Sequence, residues 1–310
     1  MGKVYGLMNA QLKILVSDHG AELKSLKKEG KELMWQADPA FWGRTSPVLF
    51  PLVGNYWEKK SRFNGKEYEM SQHGFARDME FKLLKETDDT LVFELKDSEE
   101  SKKKYPCPFV LQIGYVLKPS GVEVKWLVKN PGDEDIFFSI GGHPAFNCDL
   151  SRGSLGFKKN GEPVSGSLKA NIIEGDGSGC LSDRTKEYEL SGSTSGDGKA
   201  AADGILGQNA GVLKMSPSMF DEDALIIEDR QADEVLLYDE AGAAVLSVKF
   251  DAPLFGLWSP AGKNAPFVCI EPWYGRCDKV GFSGELSARE YGNSLKPGEV
   301  FEVSYNIEVF

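Results

Sequence analysis

Alternation of apolar and polar residues with a period of two is the feature that most restricts the fold of this chain. It is clearest over residues 301–309, where every second position is apolar and the positions between them are polar or charged. Successive side chains of a β-strand point to opposite faces, so this pattern is typical of an antiparallel strand with one face in the core. Helical periodicity is scarce, and only a short helical turn is predicted over residues 37–44.

Turn signals divide the chain into many short strands. Pro119-Ser120-Gly121 separates the apolar run 110–117 from the alternating run 122–129, and Asn130-Pro131-Gly132-Asp133 follows at once. These turns predict a three-stranded meander over residues 110–140. Many short strands joined by Gly, Pro and Asn turns indicate a sandwich or a barrel, so we predict an all-β fold.

Length and charge exclude some classes of function. The chain has 310 residues, which is within the range of a single all-β domain, and a formal net charge of −11. The negative charge opposes binding to nucleic acid and to anionic membranes, so neither is expected as a partner. No stretch approaches the roughly 20 apolar residues that span a bilayer, and the first ten residues lack the apolar core of a signal peptide. These features predict a cytoplasmic protein.

Two compositional features bear on the organisation of the chain. Residues 151–211 are rich in Gly, Ser, Asp and Lys and could link two domains. Strand-like segments at 166–173 and 188–190 instead favour loops and hairpins within a single domain of residues 1–310. The odd number of cysteines, without a CxxC pair, predicts free and mostly buried thiols. The five cysteines are Cys107, Cys148, Cys180, Cys269 and Cys277.

The three histidines are few enough to be considered individually. His19 lies in a turn between strands and is interpreted as a solvated turn residue. His73 and His143 each have a glycine neighbour, which lets backbone or ligand approach closely. From the residues alone, each of these two could be either a structural turn histidine or a site residue.

Glu271 follows directly on a short apolar run and is interpreted as the end of a buried strand. A buried carboxylate is costly unless it is paired or used, and burial also makes it a better base near neutral pH. An ordinary ion-paired strand end is the other interpretation. Trp273 and Tyr274 supply flat apolar surfaces of the kind that stack on sugar rings. Trp42 and Trp258 are further aromatic candidates, although most tryptophans are core residues.

Sequence signatures of other chemistries are absent. The chain has no HExxH motif, no paired CxxC and no EF-hand loop, so no metal site is predicted. It also lacks a P-loop, a GxGxxG motif and a GxSxG elbow. No cofactor is therefore expected.

Four short motifs, in order along the chain, resemble the galactose mutarotase-like superfamily. The resemblance is to its aldose 1-epimerase family, in the LacX-like branch related to glucose-6-phosphate 1-epimerases, and covers about residues 13–309. It implies a β-supersandwich of large, mostly antiparallel sheets and the interconversion of α and β sugar anomers without a cofactor. The motifs are Phe41-Trp42-Gly43-Arg44-Thr45-Ser46-Pro47-Val48-Leu49-Phe50-Pro51, His73-Gly74-Phe75-Ala76-Arg77, Gly142-His143-Pro144-Ala145-Phe146 and Glu271-Pro272-Trp273-Tyr274-Gly275.

The resemblance also implies roles for individual residues. His143 matches the family's general acid and Glu271 its general base. In anomerisation the base removes a proton from the anomeric hydroxyl while the acid protonates the ring oxygen, so a protonated histidine and an ionised carboxylate are expected. The implied sugar-binding residues are Arg44, His73 and Asp223, with Asp221 close enough to be confused with Asp223. Arg77 matches the arginine of the second motif, and we add Arg77 and Trp258 as predicted sugar-binding residues, Trp258 for its aromatic surface.

The substrate stays open at this stage. The sugar-phosphate branch has Arg-Gly-Gly where this chain has Gly43-Arg44-Thr45-Ser46. Arg44 and Arg77 could clamp a phosphate, donate to sugar hydroxyls or form structural ion pairs. A hexose-6-phosphate 1-epimerase is therefore an alternative to an epimerase of unphosphorylated aldoses. For the oligomeric state, a monomer or a loose homodimer is expected.

Two alternatives belong to other classes. A carbohydrate-binding or sugar-sensing protein would keep the cleft without turnover. A glycoside hydrolase or lyase on a similar sandwich could use Glu271 with Asp223 as its two carboxyl groups. The presence of both His143 and Glu271 favours the epimerase, because a protein that only binds sugar has no need for a positioned acid and base.

Overall fold

The computed structural model describes residues 2–191 and 210–310, and the regular secondary structure within them is almost entirely β-strand. No helix in these residues is long and apolar enough to cross a membrane. The helical turn predicted over residues 37–44 is only a hydrogen-bonded turn, in which the Phe41 and Trp42 amides donate to the Asp38 carbonyl. Over residues 2–191 and 210–310 the helical elements are α1 (Glu99–Lys102) and four single 3-10 turns, Trp57–Lys59, Ala76–Asp78, Pro217–Phe220 and Leu286–Ala288.

The strands are numbered in chain order. They are β1 (Val4–Met8), β2 (Leu12–Ser17), β3 (Leu23–Lys28), β4 (Lys31–Glu32), β5 (Val48–Leu49), β6 (Lys60–Phe63), β7 (Lys66–Glu69), β8 (Lys82–Glu86), β9 (Thr90–Lys96), β10 (Val110–Lys118), β11 (Gly121–Lys129), β12 (Ile136–Phe138), β13 (Ile140–Gly142), β14 (Ala145–Asn147), β15 (Ser154–Lys159), β16 (Glu162–Pro163), β17 (Ser167–Ile173), β18 (Leu181–Glu189), β19 (Gly211–Lys214), β20 (Leu225–Ile227), β21 (Glu234–Tyr238), β22 (Ala244–Phe250), β23 (Leu254–Trp258), β24 (Phe267–Tyr274), β25 (Asn293–Leu295) and β26 (Val300–Val309).

Two large antiparallel sheets pack face to face. A ten-stranded sheet, here called the outer sheet, has the order β16-β15-β21-β22-β26-β11-β10-β9-β8, with β19 beside β15. An eight-stranded sheet, the site sheet, has the order β18-β17-β20-β23-β24-β13-β5, with β14 also beside β24. Trp126 of the outer sheet meets Tyr274 of the site sheet with ring centroids 6.3 Å apart. The predicted all-β sandwich of large antiparallel sheets is thus confirmed.

The period-two pattern forms the strand that it predicts. In β26, Tyr305, Ile307 and Val309 are buried in the core, whereas Asn306 and Glu308 are exposed. The strand pairs with β11 along nine residues and with β22 on its other side. The alternation therefore marks a central strand of the outer sheet that is covered on one face.

The predicted meander is correct for two strands and wrong for the third. β10 and β11 pair directly, but β12 pairs with β25, and β26 takes the place beside β11. The buried Asn130 side chain donates to the carbonyls of Glu134 and Leu295, at 2.8 and 3.0 Å. These bonds satisfy the amide and turn the chain toward β25, so the segment after the turn does not return alongside β11.

The Gly- and Ser-rich stretch contributes strands to both large sheets. The predicted strand at 166–173 is β17, and the one at 188–190 is the end of β18; both belong to the site sheet. β15 and β19 join the outer sheet. Residues 192–209, which include most of the Gly-Ser run, lie outside the described residues. The organisation as a single domain stays a prediction.

The thiols are as predicted from the cysteine count. All five cysteines are free, and four of them are buried, the exception being the half-buried Cys148. Cys269 lies on β24 and Cys277 follows the same strand, so these two flank the segment that carries Glu271.

Candidate active site

The strand β24 carries two different sets of side chains on its two faces. All eight residues of the strand are buried. Ile270 and Tyr274 pack in the core between the sheets. Cys269 and Trp273 belong to separate apolar clusters on the other face, and Glu271 lies between them in the alternation. The apolar run had suggested that Glu271 ends the strand, but Glu271 lies inside it.

Strand register brings His143 to Glu271. His143 lies between β13 and β14, and both of these short strands pair with β24 in one continuous register, which puts His143 directly across from Glu271. Pro144 interrupts the ladder there, and the His143 amide donates to the Pro47 carbonyl instead, at 3.1 Å. The His143 Nδ1 and Glu271 Oε1 atoms are 3.3 Å apart. Directly opposed residues of antiparallel strands are neighbours on one face, so the pairing follows from the fold.

Burial decides the protonation of this pair. The Glu271 side chain is 1% exposed, and that of His143 is 7% exposed. Burial lowers the pKa of His143 to about 3 and raises that of Glu271 well above its usual range, because each charged form loses its hydration. The cavity therefore favours a neutral imidazole and a protonated carboxyl group. The sequence had led us to expect the opposite distribution, a protonated histidine and an ionised carboxylate.

Both members of the pair keep one polar atom free. His143 Nδ1 and Glu271 Oε1 are fully buried and have no hydrogen-bond partner among the described residues. The other carboxyl oxygen, Oε2, accepts a bond from the indole nitrogen of Trp273 at 3.2 Å. The carboxyl group is thus held in orientation with one oxygen left for chemistry.

Tryptophans form the walls of the cavity above the pair. The cavity has a volume of about 220 Å³ and is lined by His143 and Glu271 together with aromatic side chains. Trp42 stacks on the His143 ring at 4.7 Å, and Trp258 meets it edge-on at 5.3 Å. Rigid aromatic faces beside an acid/base pair suit a ligand with both apolar and hydroxyl-bearing surfaces.

Asp223, rather than Asp221, reaches the cavity. Asp223 lines it, and its carboxyl group accepts a hydrogen bond from Trp258. Burial raises the pKa of Asp223. Asp221 is exposed and does not line the cavity. Of the two aspartates that the sequence could not separate, only Asp223 is in a position to contact a bound sugar.

His73 enters the cavity from a strained loop. Its backbone has a φ of 65°, its amide donates to the Gly54 carbonyl at 2.8 Å, and its Nδ1 accepts from the Gly54 amide at 3.1 Å. The Nδ1 atom is thus an acceptor, so the ring proton is on Nε2. Burial, with His143 and Arg77 nearby, lowers the pKa of His73 and keeps it neutral. By contrast His19 is exposed, with its Nδ1 2.7 Å from Glu80.

Gly74 makes the His73 loop possible. Its φ is 71°, and an added Cβ would lie 2.2 Å from the Phe50 carbonyl oxygen. We expect Gly74→Ala to lower the free energy of unfolding by about 3 kcal/mol, since both the backbone and the contact resist the methyl group. Urea unfolding measures this. The matched control is Gly175→Ala, where the added Cβ meets nothing within 4 Å. Equal stability of the two variants would contradict the role of Gly74.

The structure separates the two predicted arginines. Arg77 lines the cavity, and one terminal nitrogen donates to the Gln72 carbonyl at 2.7 Å, while its buried Nε has no hydrogen-bond partner in the described residues. Burial and the neighbouring Arg44 lower the pKa of Arg77 to about 10. Arg44 does not line the cavity; it forms an ion pair with Asp78 at 2.7 Å. Arg44 is therefore held by Asp78 and is not among the residues that line the cavity, and a direct role in binding stays a prediction.

Comparison with known proteins is consistent with this geometry. Residues 3–308 match the family described as aldose 1-epimerase. The chain belongs to the aldose 1-epimerase family. The LacX protein encoded on a plasmid of Lactococcus lactis subsp. lactis is 29% identical over 320 residues, which is 98% of each chain. For this family a sugar is the implied ligand.

Solved structures of this epimerase family have the same fold. A galactose mutarotase related enzyme from Lactobacillus acidophilus superposes with a TM-score of 0.85 at 30% identity, covering 99% of this chain and 97% of the other. A galactose mutarotase-like protein from Lactobacillus casei also gives a TM-score of 0.85, at 26% identity, covering 99% of this chain and all of the other. The resemblance read from the four motifs is confirmed.

Some lining residues of this epimerase-family cavity were not found from the sequence. They carry little reactive chemistry and come from distant parts of the chain, so no motif marks them. Gln72 adjoins His73, and that adjacency was the one available signal. Gly54 is required because an added Cβ would lie 2.6 Å from Cys277 Cβ. The lining residues missed are Gly54, Gln72, Ile173, Gly179, Ala224, Ile226 and Cys277.

Proposed function

We propose that the protein is an aldose 1-epimerase that interconverts the α and β anomers of an unphosphorylated aldose. The observation that carries the proposal is the facing pair of His143 Nδ1 and Glu271 Oε1, 3.3 Å apart at the base of the tryptophan-lined cavity. Membership of the family supports it. A protein that only binds sugar has no need for a positioned acid and base.

The chemistry needs one proton on the pair. In the cavity the proton is favoured on Glu271, and transfer from Oε1 to His143 Nδ1 creates a carboxylate and an imidazolium. Glu271 then accepts the proton of the anomeric hydroxyl, and His143 donates its Nε2 proton to the ring oxygen. The bond from C1 to the ring oxygen breaks, its electron pair goes to that oxygen, and C1 becomes an aldehyde. Rotation about C1–C2 and reversal of the same transfers closes the ring as the other anomer.

The other cavity residues would hold the sugar. His73 presents an Nε2–H donor because its Nδ1 is occupied by Gly54. Asp223 and Arg77 supply an acceptor and donors for hydroxyl groups, and Trp42 and Trp258 supply flat surfaces. Holding the sugar in one pose beside the acid/base pair makes the proton transfers effectively intramolecular.

Polarimetry tests the proposal directly. Freshly dissolved α-D-galactose and α-D-glucose are followed with and without the protein. Faster decay to the equilibrium rotation is the expected result. No acceleration with either sugar, together with measurable sugar binding, would favour the non-catalytic sugar-binding alternative. Release of monosaccharide from a disaccharide would instead indicate a hydrolase.

Charge in the cavity argues against a phosphorylated substrate. Among the described residues that line it, Arg77 is the one cation, and it shares the cavity with the carboxyl group of Asp223. We therefore expect kcat/KM for glucose to exceed that for glucose 6-phosphate by at least about tenfold. Exchange NMR of the anomeric protons measures both. Preference for the phosphate, lost in Arg77→Gln, would instead establish a sugar-phosphate epimerase.

The remaining sequence-based expectations accompany this proposal. We propose a cytoplasmic enzyme that acts as a monomer or a loose homodimer on a small-molecule sugar. Size-exclusion chromatography with light scattering measures the oligomeric state.

A further inference from the structure

A third potential ligand lies beside the acid/base pair. Cys269 is two residues before Glu271 on β24, so both side chains leave the same face of the strand. The Cys269 side chain is completely buried. A ligand atom from each of His143, Cys269 and Glu271 can be chosen such that all three atoms lie within 4.8 Å of one another. The proposed epimerase chemistry makes no use of this thiol.

The spacing of these atoms matches that of zinc ligands. Zinc binds nitrogen and oxygen at about 2.0–2.2 Å and sulfur at about 2.3 Å in a tetrahedron, so a nitrogen and an oxygen ligand are about 3.3 Å apart. The distance between His143 Nδ1 and Glu271 Oε1 is 3.3 Å. A tetrahedral nitrogen–sulfur separation is about 3.6 Å, so the Cys269 thiol needs to approach by about 1 Å at most.

The same two atoms lack any other partner. His143 Nδ1 and Glu271 Oε1 are buried and make no hydrogen bond in the part of the chain that the structure describes. Neighbouring side chains already hold their orientation, since Trp273 donates to the other carboxyl oxygen and Trp42 stacks on the imidazole. Such surrounding contacts are what orient the ligands of metal sites.

The donor set selects the kind of ion. One imidazole, one thiolate and one carboxylate suit zinc, whereas magnesium and calcium prefer oxygen ligands alone. A thiolate and a carboxylate together balance the two charges of the ion, so the buried group is neutral once the thiol and carboxyl protons have left for solvent. Three protein ligands leave a fourth position, and His143 and Glu271 both face the cavity from which water could fill it.

We propose that His143, Cys269 and Glu271 form a binding site for one Zn²⁺ ion, and that zinc bound there inhibits the enzyme. The inhibition rests on the proposed epimerase function, because the ion takes the atoms that move protons; the binding does not. The sequence gives no metal motif because His143 and the strand that carries the other two ligands are far apart along the chain.

Cobalt titration tests the binding without an activity assay. Chelator-treated, reduced protein is titrated with Co²⁺, whose bond to a thiolate gives a near-ultraviolet charge-transfer band. One equivalent is expected to produce the band, and added Zn²⁺ to displace it. In Cys269→Ala the band should be absent and the apparent Kd for Zn²⁺ at least about tenfold weaker. Cys107→Ala is the matched control and should behave as the wild type, since this buried cysteine neither lines the cavity nor belongs to the group.

Further outcomes decide the proposal. Glu271→Gln keeps the side-chain volume and should also lose the metal, which covers the case in which Cys269→Ala does not fold. No band in the wild-type protein, or a band that persists in Cys269→Ala, would overturn the site. Zinc should slow mutarotation by the wild type and by Cys107→Ala at lower concentrations than by Cys269→Ala. Binding without mutarotation in any form would leave the metal site standing and overturn the epimerase.

Discussion

Glu271→Gln is expected to lower the rate of mutarotation by at least about 100-fold while leaving the fold intact. The amide has nearly the volume of the carboxyl group, and its carbonyl oxygen can still accept the bond from Trp273. It cannot take a proton from the anomeric hydroxyl. Polarimetry with the variant beside the wild type measures the loss. Glu302→Gln, an exposed position on β26, is the matched control and should keep full activity.

The same variant carries a signature in stability. Burial raises the pKa of Glu271 above its ordinary 4.5. At a pH between 4.5 and the raised pKa of the folded protein, the unfolded chain releases a proton that the folded protein retains. This group therefore stabilises the fold at low pH, and the stabilisation is lost as the pH rises. Glutamine has no proton to lose. Glu271→Gln should therefore match the wild type below pH 4.5 and become more stable above it, by about 1.4 kcal/mol per pH unit until the folded pKa is reached.

Thermal unfolding at pH 4.5 and at pH 8 checks the sign. A variant that is active, or one that is inactive and also less stable than the wild type at pH 8, would contradict the assignment of Glu271 as a buried base. We expect Glu271→Gln to gain stability and lose turnover, because the fold holds the functional carboxyl group in an environment that disfavours its charge.

Local patterns were enough to predict the type of fold. Alternation in β26 requires one buried and one exposed face, and the pairing of β10 with β11 needs only a tight turn between them. The partner of β12 could not be predicted, because it depends on β25, far along the chain, and on the buried amide of Asn130. Sheet neighbours are long-range contacts and leave no local periodicity.

The sequence predicted those residues of the candidate site whose side chains can transfer protons. His143 and Glu271 were chosen by residue type and motif, but their protonation was expected in the opposite sense, because burial on both sides of β24 is a property of the folded sheets. Arg44 was also chosen by motif; its guanidinium is paired with Asp78 and does not line the cavity, so its role in holding the substrate stays a prediction. The nearness of Cys269 to the pair also depends on the register of three strands, which no spacing in the sequence encodes.

His143→Asn is expected to lower the rate by at least about 100-fold as well, because asparagine has no ring nitrogen that can protonate the ring oxygen. The matched control is His19→Asn, at an exposed histidine beside Glu80. The double variant with Glu271→Gln should be little slower than either single variant, since ring opening needs both proton transfers and fails when either group is lost. Losses that multiply in the double variant would mean that the two residues act independently.

The pH dependence of stability distinguishes His143→Asn from Glu271→Gln. Burial lowers the pKa of His143 from 6.5 to about 3, so the unfolded chain binds a proton between these values that the folded protein does not. Wild-type stability is therefore fully present above pH 6.5 and is lost as the pH falls. Asparagine removes this loss, so His143→Asn should gain stability relative to the wild type on acidification, by up to about 1.4 kcal/mol per pH unit. Urea unfolding between pH 4 and 8 measures the free energy of unfolding of each variant relative to the wild type. If this difference rises with pH for Glu271→Gln and falls with pH for His143→Asn, each buried group is held uncharged. Differences that change in the same direction with pH would contradict the neutral pair.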